Sequence, residues 1–477
     1  MSSQQYIPGT NFLVKELYDY LEGFGNYQKF IHPPLSHALF FTNANRLYRS
    51  EAVVGAIPKV NNSPIHPPLG LRTEKLSGSA FIGPRSLAMH TWVYRVQPSV
   101  VHGRHTPYLH ESESGNPTRA KHLTPDSKIW DAFPLQEPSD WFSQRLIGTT
   151  GNPAEKSGLS TWVYNIGQDM KPCTAFASLD GEALIVPQTG ALDITTELGK
   201  LLVRANEIVV IPRGLRYHVK LVDGAPSRGF ICELYQGHFR LPELGIMGTS
   251  GAAHVRDFQV SVAHFDGKII EKDGTQVAMS SKANWTIVSR LDYKLFACEQ
   301  DHTPFDVVGW HGTLYPYKYD LAKFDFLANV HYDHKDPSAH TVLTAPSYGK
   351  APNTAVVDFI IFGKRHEAAM DTHRLPWYHR NTMNEFSYAI WSGPPSTDGT
   401  ENVPFPGAFS CGAVTAHGPG EEEYRVLKQV DGMKPELAMD GPLTIGMFET
   451  ECPLYLTEWA MAKAIENSPA DMKKIAD

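Results

Sequence analysis

Three residues in the last quarter of the chain carry side chains that together could hold a redox metal. His379 and Glu385 lie six residues apart in WYHRNTMNEF (377–386), and His417 follows 32 residues after Glu385 in VTAHGPGEE. Two imidazoles and one carboxylate on one face of an ion leave adjacent positions open, the ligand set of non-haem Fe(II) oxygenases. Oxygen chemistry needs those vacancies, because substrate and O2 must bind side by side. Spacing alone does not single these residues out. The chain has 21 histidines, and His331 with His334 in NVHYDHKDPSAH, or His366 with His373, are rival pairs. HxxH without a zincin's glutamate argues poorly for zinc, so solvated or structural roles are the default for those four. Trp377, Tyr378, Phe386, Tyr388 and Trp391 flank His379 and Glu385. They suit a slot for a flat aromatic substrate, and equally suit a plain core. His311, in VVGWHGTLYPYKYDL (307–321), ends an apolar run. With an ordinary pKa near working pH it could take a proton from a phenol, the competing reading being a hydrogen-bonded core histidine.

Such residues need a rigid frame, and the sequence points to β structure. Thirty-five prolines and 38 glycines punctuate short β-branched runs, the pattern of sandwiches and barrels. The clearest block is 183–236, where ALIVP, ALDITT, KLLVRA, EIVVIP, LRYHVKLV and GFICELY succeed one another. GEALIVPQTG and NEIVVIPRGLRYH resemble the two halves of a cupin jelly roll, with Pro212-Arg213-Gly214 as the reversing turn. ALDITTELG lacks the usual histidine pair, so His218 has no co-ligands and reads as a strand histidine in a metal-free roll. Further strands are expected near 284–289, 354–362, 386–391 and 443–449. Residues 10–22, TNFLVKELYDYLE, are expected to form a helix, as are residues 457–467 with Thr457 as N-cap. Much of 30–180 reads as irregular connection. The expected fold is mainly β: two cupin/jelly-roll-like domains with long irregular connections and a few short helices. Residues 1–300 would hold the metal-free roll and residues 301–477 the metal site.

Composition bounds the function. At 477 residues two domains are the prior. A net charge of −8 without a Lys/Arg stripe argues against nucleic acid as a partner. No apolar run reaches membrane-spanning length; AVVDFIIF (355–362) is short and carries Asp358. The N-terminus MSSQQYIPGT lacks the basic and apolar regions of a secretory signal. Five scattered cysteines without CxxC read as reduced thiols, hence a cytoplasmic protein.

The chain resembles the homogentisate 1,2-dioxygenase family from about residue 20 to 460. The resemblance is carried by EGFGN (22–26), LSGSAF and PRS (76–86), LIVPQTG (184–190), ELGKLLV (197–203), NEIVVIPRG (206–214), DFQVSVA (257–263), VVGWHGTLYPYKY (307–319), DHKDPS (333–338), YHRNTMNEF (378–386), TAHGP (415–419) and MFET (447–450). It implies that His379, Glu385 and His417 hold Fe(II), that His311 is the catalytic base, and that the chain forms a hexamer, a dimer of trimers. The implied reaction inserts O2 into a hydroquinone-type ring, homogentisate giving maleylacetoacetate in tyrosine catabolism. Tyr378, Cys411, Pro394 and His417 are the implied substrate-pocket positions. Two of these depart from the family. Cys411 stands where the family has a histidine, six residues before its last ligand. Pro394 or Pro395 stands where it has a tyrosine, and no tyrosine lies between Tyr388 and His417. Losing a buried hydrogen bond to substrate costs about 1–3 kcal/mol, enough to change substrate preference without changing chemistry. Ring cleavage of another hydroquinone, a zinc or manganese cupin acting as isomerase or hydrolase, and a binding cupin without turnover are the alternatives.

Overall fold

The structure, a computed structural model, describes residues 6–24, 48–83, 88–110, 120–134, 139–243, 252–326, 340–349, 354–363, 377–393, 407–429 and 443–465. It is mainly β, with two α-helices among the described residues, Glu421–Leu427 and Glu458–Lys463. None of these helices is long and apolar enough to cross a membrane.

Successive strands of the 183–236 block alternate between two sheets, as a jelly roll requires. Glu182–Thr189, Glu207–Ile211 and Ser227–Leu234 lie side by side in a nine-stranded sheet, while Ala191–Thr196, Gly199–Arg204 and Tyr217–Leu221 lie in a seven-stranded one. Gly214, at φ 78°, makes the expected reversal with Leu215 N donating to Pro212 O at 3.2 Å. His218 is buried and its Nδ1 donates to Thr174 O at 2.7 Å, the structural role expected of it.

Ser227–Leu234 is buried along its whole length because it is covered on both sides. Odd residues face the seven-stranded sheet: Glu233 meets Arg290 at 3.5 Å, and the Arg290 guanidinium lies 4.0 Å from the Trp162 ring. Even residues face the second half of the chain: the Phe230 ring is 4.3 Å from that of Tyr388 and 5.8 Å from that of Phe386. Those two aromatics belong to a six-stranded sheet ordered Thr341–Pro346, Ala355–Phe362, Leu443–Thr450, Asn384–Ser392, Ala408–Cys411, Lys128–Trp130. The nine-stranded sheet is thus the middle of three layers. That explains why its central strands read as continuous apolar runs and not as alternation.

Sheets mix both ends of the chain. Tyr317–Asp320 is inserted between Gln259–Ser261 and Glu207–Ile211, and Val307–Gly312 pairs with Tyr48–Glu51 and His90–Arg95 in a four-stranded sheet.

One expectation fails. Residues 10–22 are not a helix. The segment is extended, ends in the strand Tyr20–Glu22, and alternates with period two, Phe12, Val14, Glu16, Tyr18 and Tyr20 turning inward. Tertiary partners decide this. Thr10 Oγ1 donates to Asp320 at 2.6 Å, Glu16 receives Lys318 Nζ at 2.7 Å and Arg204 Nη2 at 3.2 Å, and Tyr18 OH donates to Asp193 at 2.7 Å. Only an extended strap reaches all of them. Much of 30–180 is irregular where described, as expected, but Arg145–Asn152 and Ser157–Ile166 form a long hairpin inside the nine-stranded sheet. The terminal helix starts at its expected cap, Thr457 accepting from Ala460 N.

Candidate metal centre

A two-stranded ribbon sets the imidazoles side by side. His379–Arg380 pairs antiparallel with Ala416–His417, so that His379 stands opposite His417 and the ring centroids are 4.1 Å apart. Glu385 comes from Asn384–Ser392, between Cys411 on one neighbouring strand and Glu449 on the other. A tight turn, with Val414 at φ 62°, brings the chain from Cys411 back to His417, and Val414 N donates to Asn381 O at 2.6 Å. A β-branched residue with positive φ is strained and persists only where its surroundings hold it.

Backbone carbonyls fix both rings. His379 Nδ1 donates to Trp377 O at 2.8 Å and His417 Nδ1 to Thr415 O at 2.9 Å. A carbonyl can only accept, so Nδ1 is the nitrogen that keeps its proton whenever the ring is neutral. Both Nε2 atoms point at the Glu385 carboxylate, 3.6 Å from Oε1 for His379 and 3.1 Å from Oε2 for His417. One ligating atom from each of the three residues lies within 4.8 Å of the other two. Burial alone would lower the His417 pKa, but hydrogen bonds to Cys411, Glu385 and Thr415 raise it to about 10. Burial alone would raise Glu385, yet hydrogen bonds from His417 and Asn381 bring it below the usual carboxylate value.

The chain has well-matched relatives. Residues 40–321 match the homogentisate 1,2-dioxygenase N-terminal family and residues 322–474 the C-terminal one. The chain belongs to the homogentisate 1,2-dioxygenase family. Homogentisate 1,2-dioxygenase of Emericella nidulans is 43% identical over 95% of this chain and 94% of its own. The enzymes of that name from Oryza sativa and Pseudomonas syringae are 40% and 38% identical, covering 86% and 82% of this chain and 86% and 85% of theirs.

Of the other positions expected from the sequence, Cys411 is buried beside His417, its Sγ 3.1 Å from Ser127 Oγ. Tyr378 is exposed and packs on Gly418, where a Cβ would come within 2.5 Å of the tyrosine ring. Of the flanking aromatics, Phe386 and Tyr388 are core residues between layers, whereas Trp377 is exposed. Pro394, Pro395 and the rival histidines 331, 334, 366 and 373 lie outside the described residues.

His311 is not part of the three-residue cluster. It stands in Val307–Gly312 opposite Arg49 and Trp92, with Nε2 3.0 Å from Tyr94 OH. Burial, then the nearby Arg49 and His90, push its pKa down to about 4. The ring is therefore neutral at ordinary pH.

One supporting residue escaped the sequence reading. Asn381 Nδ2 donates to Glu385 Oε1 at 2.8 Å and also to Glu449 Oε1. Its position four residues before Glu385 was visible; the partner Glu449 is revealed only by strand register.

Proposed function

We propose that this chain is an Fe(II)-dependent ring-cleaving dioxygenase that inserts both atoms of O2 into a hydroquinone-type aromatic, homogentisate giving maleylacetoacetate. The observation that carries the reading is the convergence of two imidazole Nε2 atoms and the Glu385 carboxylate in a chain of this family. The residues fit a divalent metal: two nitrogen lone pairs aimed at a carboxylate repel unless a cation or a proton lies between them. His379, Glu385 and His417 would hold the ion, which would supply the one-electron chemistry that ground-state oxygen requires.

The protein's own groups do the rest. Trp377 O and Thr415 O hold each imidazole in the tautomer a metal needs, and Asn381 fixes the carboxylate. His311, neutral and hydrogen-bonded to Tyr94, is assigned the acceptance of a ring-hydroxyl proton. Tyr378 and Cys411 are assigned to the pocket wall, together with Pro394. The family resemblance supports a homo-oligomer, a hexamer, and the reduced thiols support a cytoplasmic setting. The division near residue 300 belongs to this proposal too, with strands 307–312 and 317–320 joining sheets of the first part.

A second reading keeps the chemistry and changes the substrate to another substituted hydroquinone. Buried Cys411 beside His417 favours it, because a thiol is a weak partner for a substrate hydroxyl. Anaerobic iron reconstitution followed by oxygen-uptake assays on homogentisate, gentisate and bulkier hydroquinones separates the two. Replacing His379, Glu385 or His417 by alanine is expected to abolish iron retention and oxygen uptake. Full activity in any one of these variants refutes the ligand set.

A further inference from the structure

A second group of ligating side chains lies well away in sequence, on the outer edge of the seven-stranded sheet. Cys298 is on the strand Lys294–Gln300. The segment containing His102-Gly103-Arg104-His105 is pinned alongside it: Gly103 N donates to Glu299 O at 2.7 Å, Thr106 and Pro107 pair with Ala297 and Phe296, and Tyr108 N donates to Leu295 O at 2.9 Å. This places one ligating atom each of His102, His105 and Cys298 within 4.8 Å of the other two. The two imidazole centroids are 4.9 Å apart, and the rings meet edge to face at 73°.

Several features prepare these groups for a cation. His102 Nδ1 lies 2.6 Å from Gly103 O. The carbonyl can only accept, so Nε2 is the atom left with a lone pair. Cys298 is buried beside Ala175, Ile287 and Phe305, whereas His105 is exposed, so the group reaches from core to solvent. Arg216 is held close by, by Ser99 O at 2.9 Å and Gln300 Oε1 at 3.3 Å. Zinc takes a cysteine as the thiolate, so the ion itself must drive off the thiol proton.

We propose that His102, His105 and Cys298 form a zinc site, with water in the fourth position, that fastens the edge strand Thr106–Pro107 to the seven-stranded sheet. Two imidazoles and a thiolate suit Zn(II) in tetrahedral geometry. Ligand distances of about 2.0–2.3 Å put neighbouring ligand atoms roughly 3.3–3.6 Å apart, so closure asks for shifts of the order of 1 Å, available to the exposed His105. Binding exchanges the Cys298 S–H bond for a sulfur–zinc bond and releases one proton to solvent, with no change of oxidation state. The site does not depend on the iron reading. It shares no residue with the His379, Glu385, His417 cluster.

Cobalt(II) titrated into the full-length, iron-loaded protein tests the proposal, because a thiolate ligand adds a sulfur-to-cobalt charge-transfer band that a histidine–carboxylate site lacks. The expected result is one such band per chain, displaced by zinc, absent in Cys298→Ser and retained in Glu385→Ala, which is titrated without iron. The last variant matters because Cys411 lies beside the other cluster. His105→Ala, at an exposed position that does not threaten folding, is expected to weaken cobalt binding at least about tenfold. No band in the wild type, a band that survives in Cys298→Ser, a band lost in Glu385→Ala, or unchanged affinity in His105→Ala overturns the proposal.

Discussion

Asn381→Ala probes how the proposed iron ligand is held. Glu385 Oε1 receives Asn381 Nδ2 at 2.8 Å, and the same nitrogen donates to Glu449, which stands opposite Glu385 in register. Alanine removes the donor between two carboxylates. A hydrogen bond to a charged group contributes about 1.5–3 kcal/mol, and loss of a ligand's supporting partner typically weakens metal binding about 10–100-fold. The two figures agree at 1.4 kcal/mol per decade. We expect Fe(II) affinity to fall by about 10–100-fold, with turnover per bound iron little changed. The pH dependence has a sign as well. Hydrogen bonds from His417 and Asn381 hold Glu385 below its ordinary value against burial. Removing one raises it, so protons displace iron from the variant at a higher pH than from the wild type. Anaerobic competition against a calibrated chelator across a pH series measures both effects, with circular dichroism confirming the fold. Asn381→Asp, which replaces the donor by a third carboxylate, should do at least as much damage. Unchanged affinity and an unmoved acid-release midpoint in Asn381→Ala would show that Asn381 does not position the ligand.

Other expectations follow from single contacts. His311→Gln should keep iron and slow turnover; normal turnover would remove its proton role. Because its folded pKa of about 4 lies below the unfolded value, the unfolded chain binds more protons in between. Stability therefore falls as pH drops from about 6.5, and His311→Gln should flatten that slope in urea titrations. Cys411→His should raise kcat/KM for homogentisate if the thiol governs substrate choice; no gain counts against that role. Lys318→Ala should cost about 3–5 kcal/mol in urea unfolding, because buried Lys318 holds Glu207 at 3.1 Å and Glu16 at 2.7 Å. Glu207 is lowered, its burial outweighed by Lys318 and Arg204. Its contribution is thus present above the unfolded carboxylate pKa and lost as pH falls through the folded one, and Lys318→Ala should shrink that acid-side loss.

The middle sheet was readable because doubly buried strands are written as unbroken apolar runs, as in ALIVP and GFICELY. Residues 10–22 were misleading for a physical reason. Leu13 and Leu17, apolar and four apart, imitate a helical stripe yet stay exposed, while charged Glu16 turns inward to Lys318 and Arg204. The hairpin 145–166 was hidden because glycine, threonine and serine in RLIGTTGN and SGLSTWV weaken the strand pattern. Glu385 and the two histidines stood out through motif and residue type. Asn381's tie to Glu449, and the meeting of the HGRH turn with Cys298, depend on pairings between distant strands that no local pattern records.

The insertion of Tyr317–Asp320 into the middle layer has a consequence for biogenesis. While the ribosome is still making residue 310, Glu207–Ile211 has no neighbour on that side and offers an open, apolar hydrogen-bonding edge. A nascent chain paused there is a ready template for intermolecular pairing, so slow codons or truncations just upstream should yield inclusion bodies and chaperone capture in place of a soluble amino-terminal fragment.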